Sequence, residues 1–179
     1  MVRHSSAYWL TAFVVIAQLS AAPSMIGPAN ATSSNAATCL QDNARYLDPE
    51  SGLELTFKPL QEEDRFLQSF IVSSTKSAAS LDSFITLMGE PLRPVAFVVN
   101  QCPEGDITGE ELEACTVWQG VPYALFGDGS IGLLPEGSAP AVTQILLPDF
   151  ARSVMSHKIW DTFNSEEPFE VFDFKDCGE

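Results

Sequence analysis

Basic residues and histidine are scarce in this chain. Its 179 residues include 9 Lys and Arg and 2 His, against 24 Asp and Glu, and the formal net charge is −15. A surface this negative repels phosphate backbones and anionic lipids, so we expect no nucleic-acid partner and no docking on an acidic membrane. A cationic partner or Ca²⁺ is compatible with the charge, and solubility in an extracellular fluid is its plainest meaning.

The motifs of nucleophilic catalysis are also missing. Beyond residue 22 the only histidine is His157, and the sequence has no G-x-S-x-G elbow. A Ser-His-Asp or Cys-His site needs that imidazole beside a nucleophile, whereas His157 falls on the polar side of a predicted helix. We interpret His157 as a solvated helix residue and assign no catalytic residue.

Carboxylates are abundant and leave a hydrolase open as an alternative. Acidic runs occur at residues 62–64, 110–111 and 166–167. A glycosidase-type enzyme needs two carboxylates that face each other across a sugar. Neighbours in sequence do not face each other, so surface solvation explains these runs more simply.

One acidic loop has the composition of a calcium site. Ca²⁺ is bound by about six to eight oxygens from a constrained loop, and two cysteines enclose five candidate ligands: Glu104, Asp106, Thr108, Glu110 and Glu111. Their spacing differs from the EF-hand loop, and the same segment fits a capping box for a turn of helix. We assign no cofactor and no metal ligand, and keep a Ca²⁺-stabilised structural domain as an alternative.

The first 22 residues have the pattern of a secretory signal peptide. A basic start precedes an apolar stretch at residues 9–17 and small residues at 20–22. We expect cleavage after Ala21 or Ala22 and a secreted, extracellular location, or a periplasmic one in a bacterial host. An uncleaved anchor helix is disfavoured because the apolar stretch is too short to span a bilayer.

The remainder divides into an arm and one domain. Residues 23–38 are uncharged and rich in Ala, Ser, Asn and Pro, which predicts a disordered arm. Within it, the sequon Asn30-Ala31-Thr32 makes Asn30 a candidate glycosylation site. Residues 39–179 fit a single globular domain with no second apolar run of transmembrane length.

Four cysteines follow the signal: Cys39, Cys102, Cys115 and Cys177. An even number in a secreted chain predicts two disulfides, and three connectivities are open. We favour Cys102 with Cys115, which closes a short acidic loop, and Cys39 with Cys177, which ties the ends of the domain together. Free buried thiols are the alternative, and the lack of a C-x-x-C or Cys/His cluster argues against zinc.

Hydropathy patterns in the first half of the domain predict strands and helices together. Alternation indicates a strand at residues 53–58, and a continuous apolar run indicates a central strand at residues 95–99. Apolar residues at helical spacing predict helices at residues 62–71 and 80–89.

The second half continues this mixture. Strands are predicted at residues 117–126, with Pro122 at an edge or bulge, at 130–134 after a Gly127-Asp128-Gly129 turn, and at 141–147. A helix capped by Asp149 is predicted at residues 150–163, and a last strand at 169–174 has a bulge between Val171 and Phe172. The fold class is therefore α+β: an antiparallel or mixed sheet of five or six strands with packed helices, stabilised by disulfides.

Three aromatic residues lie on the predicted strands near the hairpin: Trp118, Tyr123 and Phe126. Aromatic side chains on strands can line an apolar pocket or face a partner. Burial in the core is the commoner role, and we expect it here.

Three stretches of the chain resemble the VirK family of small secreted proteins. They are SLDSFITLMG at residues 80–89, PVAFVVNQC at 94–102 and GVPYALFGDGSIG at 120–132. In that family a short helix precedes a strand that ends in a cysteine, and a glycine-led strand pair with an Asp-Gly-type turn follows. Of the basic residues usual before the apolar strand, only Arg93 is present. The resemblance covers about residues 80–134, implies a secreted domain of unsettled biochemical role, and brings no catalytic residue.

These observations predict a secreted, acidic, non-enzymatic domain that binds an extracellular protein or a small apolar ligand. Export, the missing catalytic motifs and the aromatic residues on strands support this function. The two alternatives are an extracellular carboxylate-based hydrolase and a Ca²⁺-stabilised structural domain.

Overall fold

Antiparallel strands dominate the structure. The computed structural model describes residues 36–61 and 65–178. Its strands are β1 (Ala44–Leu47), β2 (Leu53–Lys58), β3 (Gln68–Ser74), β4 (Ser80–Met88), β5 (Arg93–Val99), β6 (Thr116–Gly120), β7 (Tyr123–Leu125), β8 (Ile131–Leu133), β9 (Gln144–Leu146) and β10 (Val171–Cys177). The helices are short: α1 (Gly109–Cys115), α2 (Phe150–Ser156) and α3 (Trp160–Phe163), with 3-10 turns at Ala36–Thr38 and Gln41–Asn43.

All ten strands belong to one curled sheet. Their order across it is β6-β5-β4-β3-β2-β1-β10-β9-β7-β8. Strand β6 is at one edge and β7 is next to the other edge, yet only Val121 and Pro122 separate them in the chain. A link this short spans about 10 Å, so the two edges come together and the sheet curls into a half-barrel. Pro122 lacks an N–H, which explains why the strand predicted at residues 117–126 is interrupted here.

The concave side of the sheet holds the main core. Alternate residues of β2 are buried there, as the alternation predicts: Leu53, Leu55 and Phe57. Phe150 of α2 is fully buried and makes edge-to-face contacts with Trp118 of β6 and Phe172 of β10, at ring-centroid distances of 5.7 and 5.9 Å. Helix α2 therefore fills the space between these two strands.

Helix α1 covers part of the convex side. Phe97 and Val99 of β5 are buried beneath it with Cys115, in a small second cluster. The predicted capping box begins this helix: the Thr108 hydroxyl accepts the Glu111 N–H at 3.2 Å, and the Glu111 carboxylate accepts the Thr108 N–H at 2.8 Å.

The predicted α+β fold class is wrong. The described part of the chain forms a mainly β single domain, with ten strands where five or six were expected and only a few short helices. The two helices predicted at residues 62–71 and 80–89 account for most of the error. Residues Gln68–Ser74 form β3 and Ser80–Met88 form β4, which pair with each other along their length.

Polar and aromatic residues on unexpected faces explain these two errors. In β3 the inward residues include the polar Gln68 and Ser74 beside Phe70 and Val72. In β4 the inward series includes Ser83, while Phe84 lies on the outer face, stacked on Phe97 with ring centroids 5.1 Å apart. Inward polar residues and outward aromatic residues hide the period of two by which a half-buried strand is recognised.

Smaller corrections concern the last third of the chain. The helix predicted at residues 150–163 is interrupted, since His157 has extended backbone dihedrals and separates α2 from α3. Asp149 has a left-handed backbone conformation and makes no side-chain cap. The irregularity in β10 lies opposite Arg45 and Tyr46, which pair with Asp176 and Phe174, rather than between Val171 and Phe172.

Both favoured disulfides are present, Cys39 with Cys177 and Cys102 with Cys115. The first joins the chain just before β1 to the end of β10, and the second joins the segment after β5 to the end of α1. Two disulfides indicate an oxidising compartment. Within residues 36–61 and 65–178, no helix is long and apolar enough to cross a membrane.

The predicted signal peptide and Asn30 lie outside the described residues. Residues 23–35 of the predicted arm do so as well. The last part of that arm, Ala36–Thr38, forms a 3-10 turn, and the Ala36 side chain packs against the core.

Candidate functional site

The residues of the candidate calcium loop do not converge on a metal site. Thr108 and Glu111 are bonded to each other in the capping box of α1, and the hydrogen bonds from Thr108 lower the pKa of the Glu111 carboxyl. Among the described residues, no three His, Cys, Asp or Glu side chains lie close enough together to hold a metal ion.

The two buried carboxylates of the described chain have structural partners. Asp48 accepts hydrogen bonds from the Glu50 and Phe169 N–H groups at 3.0 and 2.9 Å and from the Ser51 hydroxyl, so it holds the turn between β1 and β2 against the chain before β10. Glu54 binds the Lys175 ammonium at 2.5 Å, across β1 from β2 to β10. Arg45 lies 3.8 Å from Glu54 and also binds Asp176, so Glu54 belongs to a group of ion pairs on the sheet.

His157 and the strand aromatics are parts of the scaffold. His157 is partly buried at the end of α2, where its Nδ1 accepts the Ile159 N–H at 3.4 Å. Trp118 is buried and its indole N–H donates to the Pro148 carbonyl at 2.9 Å. Tyr123 and Phe126 are half-buried, and Phe126 packs against the core.

A different feature is the clearest candidate for a binding surface. One end of the sheet contains the start of β3, the end of β4 and the start of β5. Residues 134–136, which follow β8, lie beside these strand ends. Large apolar side chains are exposed there, and we call this surface the apolar end: Phe66, Leu67, Leu87, Leu92 and Leu133. Scattered apolar residues are normal on a protein surface, but a contiguous exposed group marks a site of interaction.

An open groove of about 200 Å³ lies in the middle of the apolar end. Its walls come from separate elements: Leu67 and Gln68, Leu87, Pro94, and residues 133–136. Leu87 pairs with Pro94 across β4 and β5, at inward positions just beyond the buried core. The groove therefore continues the interior of the half-barrel to the surface.

Three buried side chains of the described residues have a polar atom without a hydrogen-bond partner: Gln41, Gln68 and Ser83. Gln68 is 3% exposed, and its amide nitrogen donates to the Pro135 carbonyl at 2.7 Å while its amide oxygen accepts nothing. Ser83, on the adjacent strand β4, has an unpartnered hydroxyl. An unsatisfied buried polar atom costs about 1–3 kcal/mol, so these atoms lower the stability of the inner face.

The charges near the apolar end are of both signs, and those next to β8 are acidic. The exposed Arg65 and Arg93 adjoin Phe66 and Leu92 in the chain, whereas Asp128 and Glu136 flank β8. Residues 94–151 contain no Lys, Arg or His and include eight acids. This stretch supplies α1, β6 to β9 and one wall of the groove. Asp42 and Glu136 line a second open groove that shares Leu67 and Gln68 with the first.

Comparisons with known proteins give no family for this chain. No family model matches it, and no curated protein or solved structure shows significant similarity to it. The resemblance to the VirK family stays a prediction, and the stretch at residues 80–89 that it expects as a short helix is strand β4.

Sequence reasoning did not identify the apolar end. Its residues come from segments far apart in the chain, and two of those segments, near Leu67 and Leu87, were predicted as helices. One residue could have indicated this surface. Leu92 is apolar but lies in a Pro-containing turn, and turns are usually exposed to solvent.

Proposed function

We propose that this protein is a secreted, acidic, non-enzymatic interaction domain that binds an apolar partner at the apolar end. The observation that carries the proposal is the group of exposed Leu and Phe side chains around an open groove. The disulfides support an oxidising location, and the signal pattern at residues 1–22 supports secretion.

The proposal has an energetic basis. Exposed apolar side chains are unfavourable in water, and covering one Leu contributes about 1.5–3 kcal/mol when it becomes fully buried. Leu87 and Leu133 are 47% and 39% exposed. Covering both would therefore contribute a few kcal/mol to association, before the entropic cost of binding.

Binding of an uncharged fluorescent dye tests this function. N-phenyl-1-naphthylamine fluoresces in apolar surroundings and carries no charge that the acidic surface would repel. We expect the oxidised, folded protein to bind it, and Leu87→Gln or Leu133→Gln to weaken binding by about tenfold, which is about 1.4 kcal/mol.

Met155→Gln is the matched control. Met155 is 38% exposed on α2 and lines neither groove of the apolar end. Dye binding that is absent, or that Met155→Gln weakens as much as Leu87→Gln, would refute the proposed site.

A further inference from the structure

We propose that the apolar end binds an extended, cationic segment of a partner polypeptide, which pairs with the free edge of β8 and places side chains in the groove. The inference rests on the proposed function and specifies the chemistry of the partner. Three observations support it: the exposed edge of β8, the small volume of the groove, and the acidic residues that flank β8.

Strand β8 is a short edge strand with no charged residue or proline. It is the last strand of the sheet and pairs only with β7 among the described strands. Natural sheets protect such edges by short length, charged residues or proline, and Ile131–Leu133 has only the short length. Its two apolar residues are exposed, Ile131 by 67% and Leu133 by 39%. An exposed edge with apolar side chains favours the addition of a strand from a partner.

The groove next to this edge has room for side chains of an extended segment. Its volume of about 200 Å³ is below the range of about 300–1,000 Å³ that is usual for sites enclosing a small ligand. Leu133 belongs both to β8 and to the groove wall. A strand paired with β8 would therefore extend past Leu133 and reach the groove with its next side chains.

The acidic residues next to β8 specify a cationic partner. Asp128 and Glu136 flank β8 at the surface, and hydrogen bonds from Ser130 lower the pKa of the Asp128 carboxyl, so it is ionised at neutral pH. Lys and Arg supply the complementary positive charge.

The alternation of a strand gives the pattern of the partner. Ile131 and Leu133 are two residues apart and so lie on the same face of β8. An added strand places every second side chain beside them. The partner segment therefore alternates apolar and basic residues.

Calorimetric titration with short peptides tests the inference. The probe is the capped hexapeptide Lys-Val-Lys-Val-Lys-Val, compared with Glu-Val-Glu-Val-Glu-Val and with a form of the Lys peptide that is N-methylated at alternate residues along one edge. We expect the oxidised protein to bind the Lys peptide at least about tenfold more tightly than either comparison peptide, since one lacks the charge and the other lacks the backbone donors.

Salt and one pair of variants complete the experiment. Raising the salt concentration from 0.1 to 1 M shortens the screening length from about 10 to 3 Å and should weaken binding of the Lys peptide. Ile131→Lys should weaken it by about tenfold because it replaces an apolar contact with a like charge. Met155→Lys adds the same charge away from β8 and should change the affinity by less than about twofold.

The outcomes separate the inference from the proposed function. Equal affinity for the Lys and Glu peptides would refute the cationic partner, and unchanged affinity after N-methylation would refute strand addition. If the uncharged dye binds the apolar end but the Lys peptide does not, the proposed function stands and this inference fails. If neither binds, both fail.

Discussion

Replacing Phe150 by Ala tests whether α2 supports the curled sheet from within. Phe150 is fully buried and contacts Trp118 of β6 and Phe172 of β10, which lie far apart in the strand order. Removing a buried Phe side chain costs about 3–5 kcal/mol. The total stability of a domain is about 5–15 kcal/mol, so this single change removes a large fraction of it.

Urea unfolding followed by tryptophan fluorescence measures this cost. With a slope of about 2 kcal/mol per M, a loss of 4 kcal/mol lowers the unfolding midpoint by about 2 M. Phe169→Ala is the control, because Phe169 is 58% exposed and its removal should cost less than about 0.5 kcal/mol. A loss below about 1 kcal/mol for Phe150→Ala would refute the packing described here.

Two further predictions concern covalent and polar parts of the core. Replacing Cys39 and Cys177 by Ser opens a loop of sequence separation 138 and should lower the free energy of unfolding by about 2–5 kcal/mol; an unchanged urea midpoint would contradict this. Tyr46→Phe removes a hydroxyl that donates to Gln41 at 2.7 Å and accepts the Val142 N–H at 3.2 Å, and should cost about 1–3 kcal/mol at neutral pH. Burial raises the pKa of Tyr46 above its ordinary value, so the folded chain holds this proton more tightly than the unfolded chain. The wild-type protein should therefore lose stability as the pH rises above about 10, by at most about 1.4 kcal/mol per pH unit from this group, and Tyr46→Phe should lack that part of the slope.

The sequence predicts those elements whose faces are chemically distinct. Strand β2 alternates apolar and polar residues, and the end of β5 is a continuous apolar run, so both were recognised. The Thr108 capping box and the Gly127-Asp128-Gly129 turn depend on local chemistry and were recognised for the same reason.

Strands β3 and β4 escaped prediction because tertiary contacts decide their faces. Gln68 and Ser83 lie inward in spite of their polarity, and Phe84 lies outward between Phe66 and Phe97, in an aromatic stack that only the folded sheet creates. Local rules are commonly broken where a sequence serves a function. The two strands that the sequence predicts wrongly also line the groove: Gln68 of β3 and Leu87 of β4 both form part of its wall.

The predicted number of strands is too low for a related reason. Strands β8 and β9 lie within the segments predicted at residues 130–134 and 141–147. Besides β3 and β4, strand β1 is not predicted, and the segment predicted at residues 117–126 is divided into β6 and β7, which pair with different neighbours. Pairing between distant segments is a property of the whole fold.

The most direct test of the account is NMR mapping of the uncharged dye on the oxidised protein. If the exposed apolar residues around the groove form the binding surface, chemical-shift changes on dye addition will concentrate at Leu67, Gln68, Leu87 and Leu133. Changes concentrated around Phe169, or in the groove beneath α1 near Leu112, would contradict it.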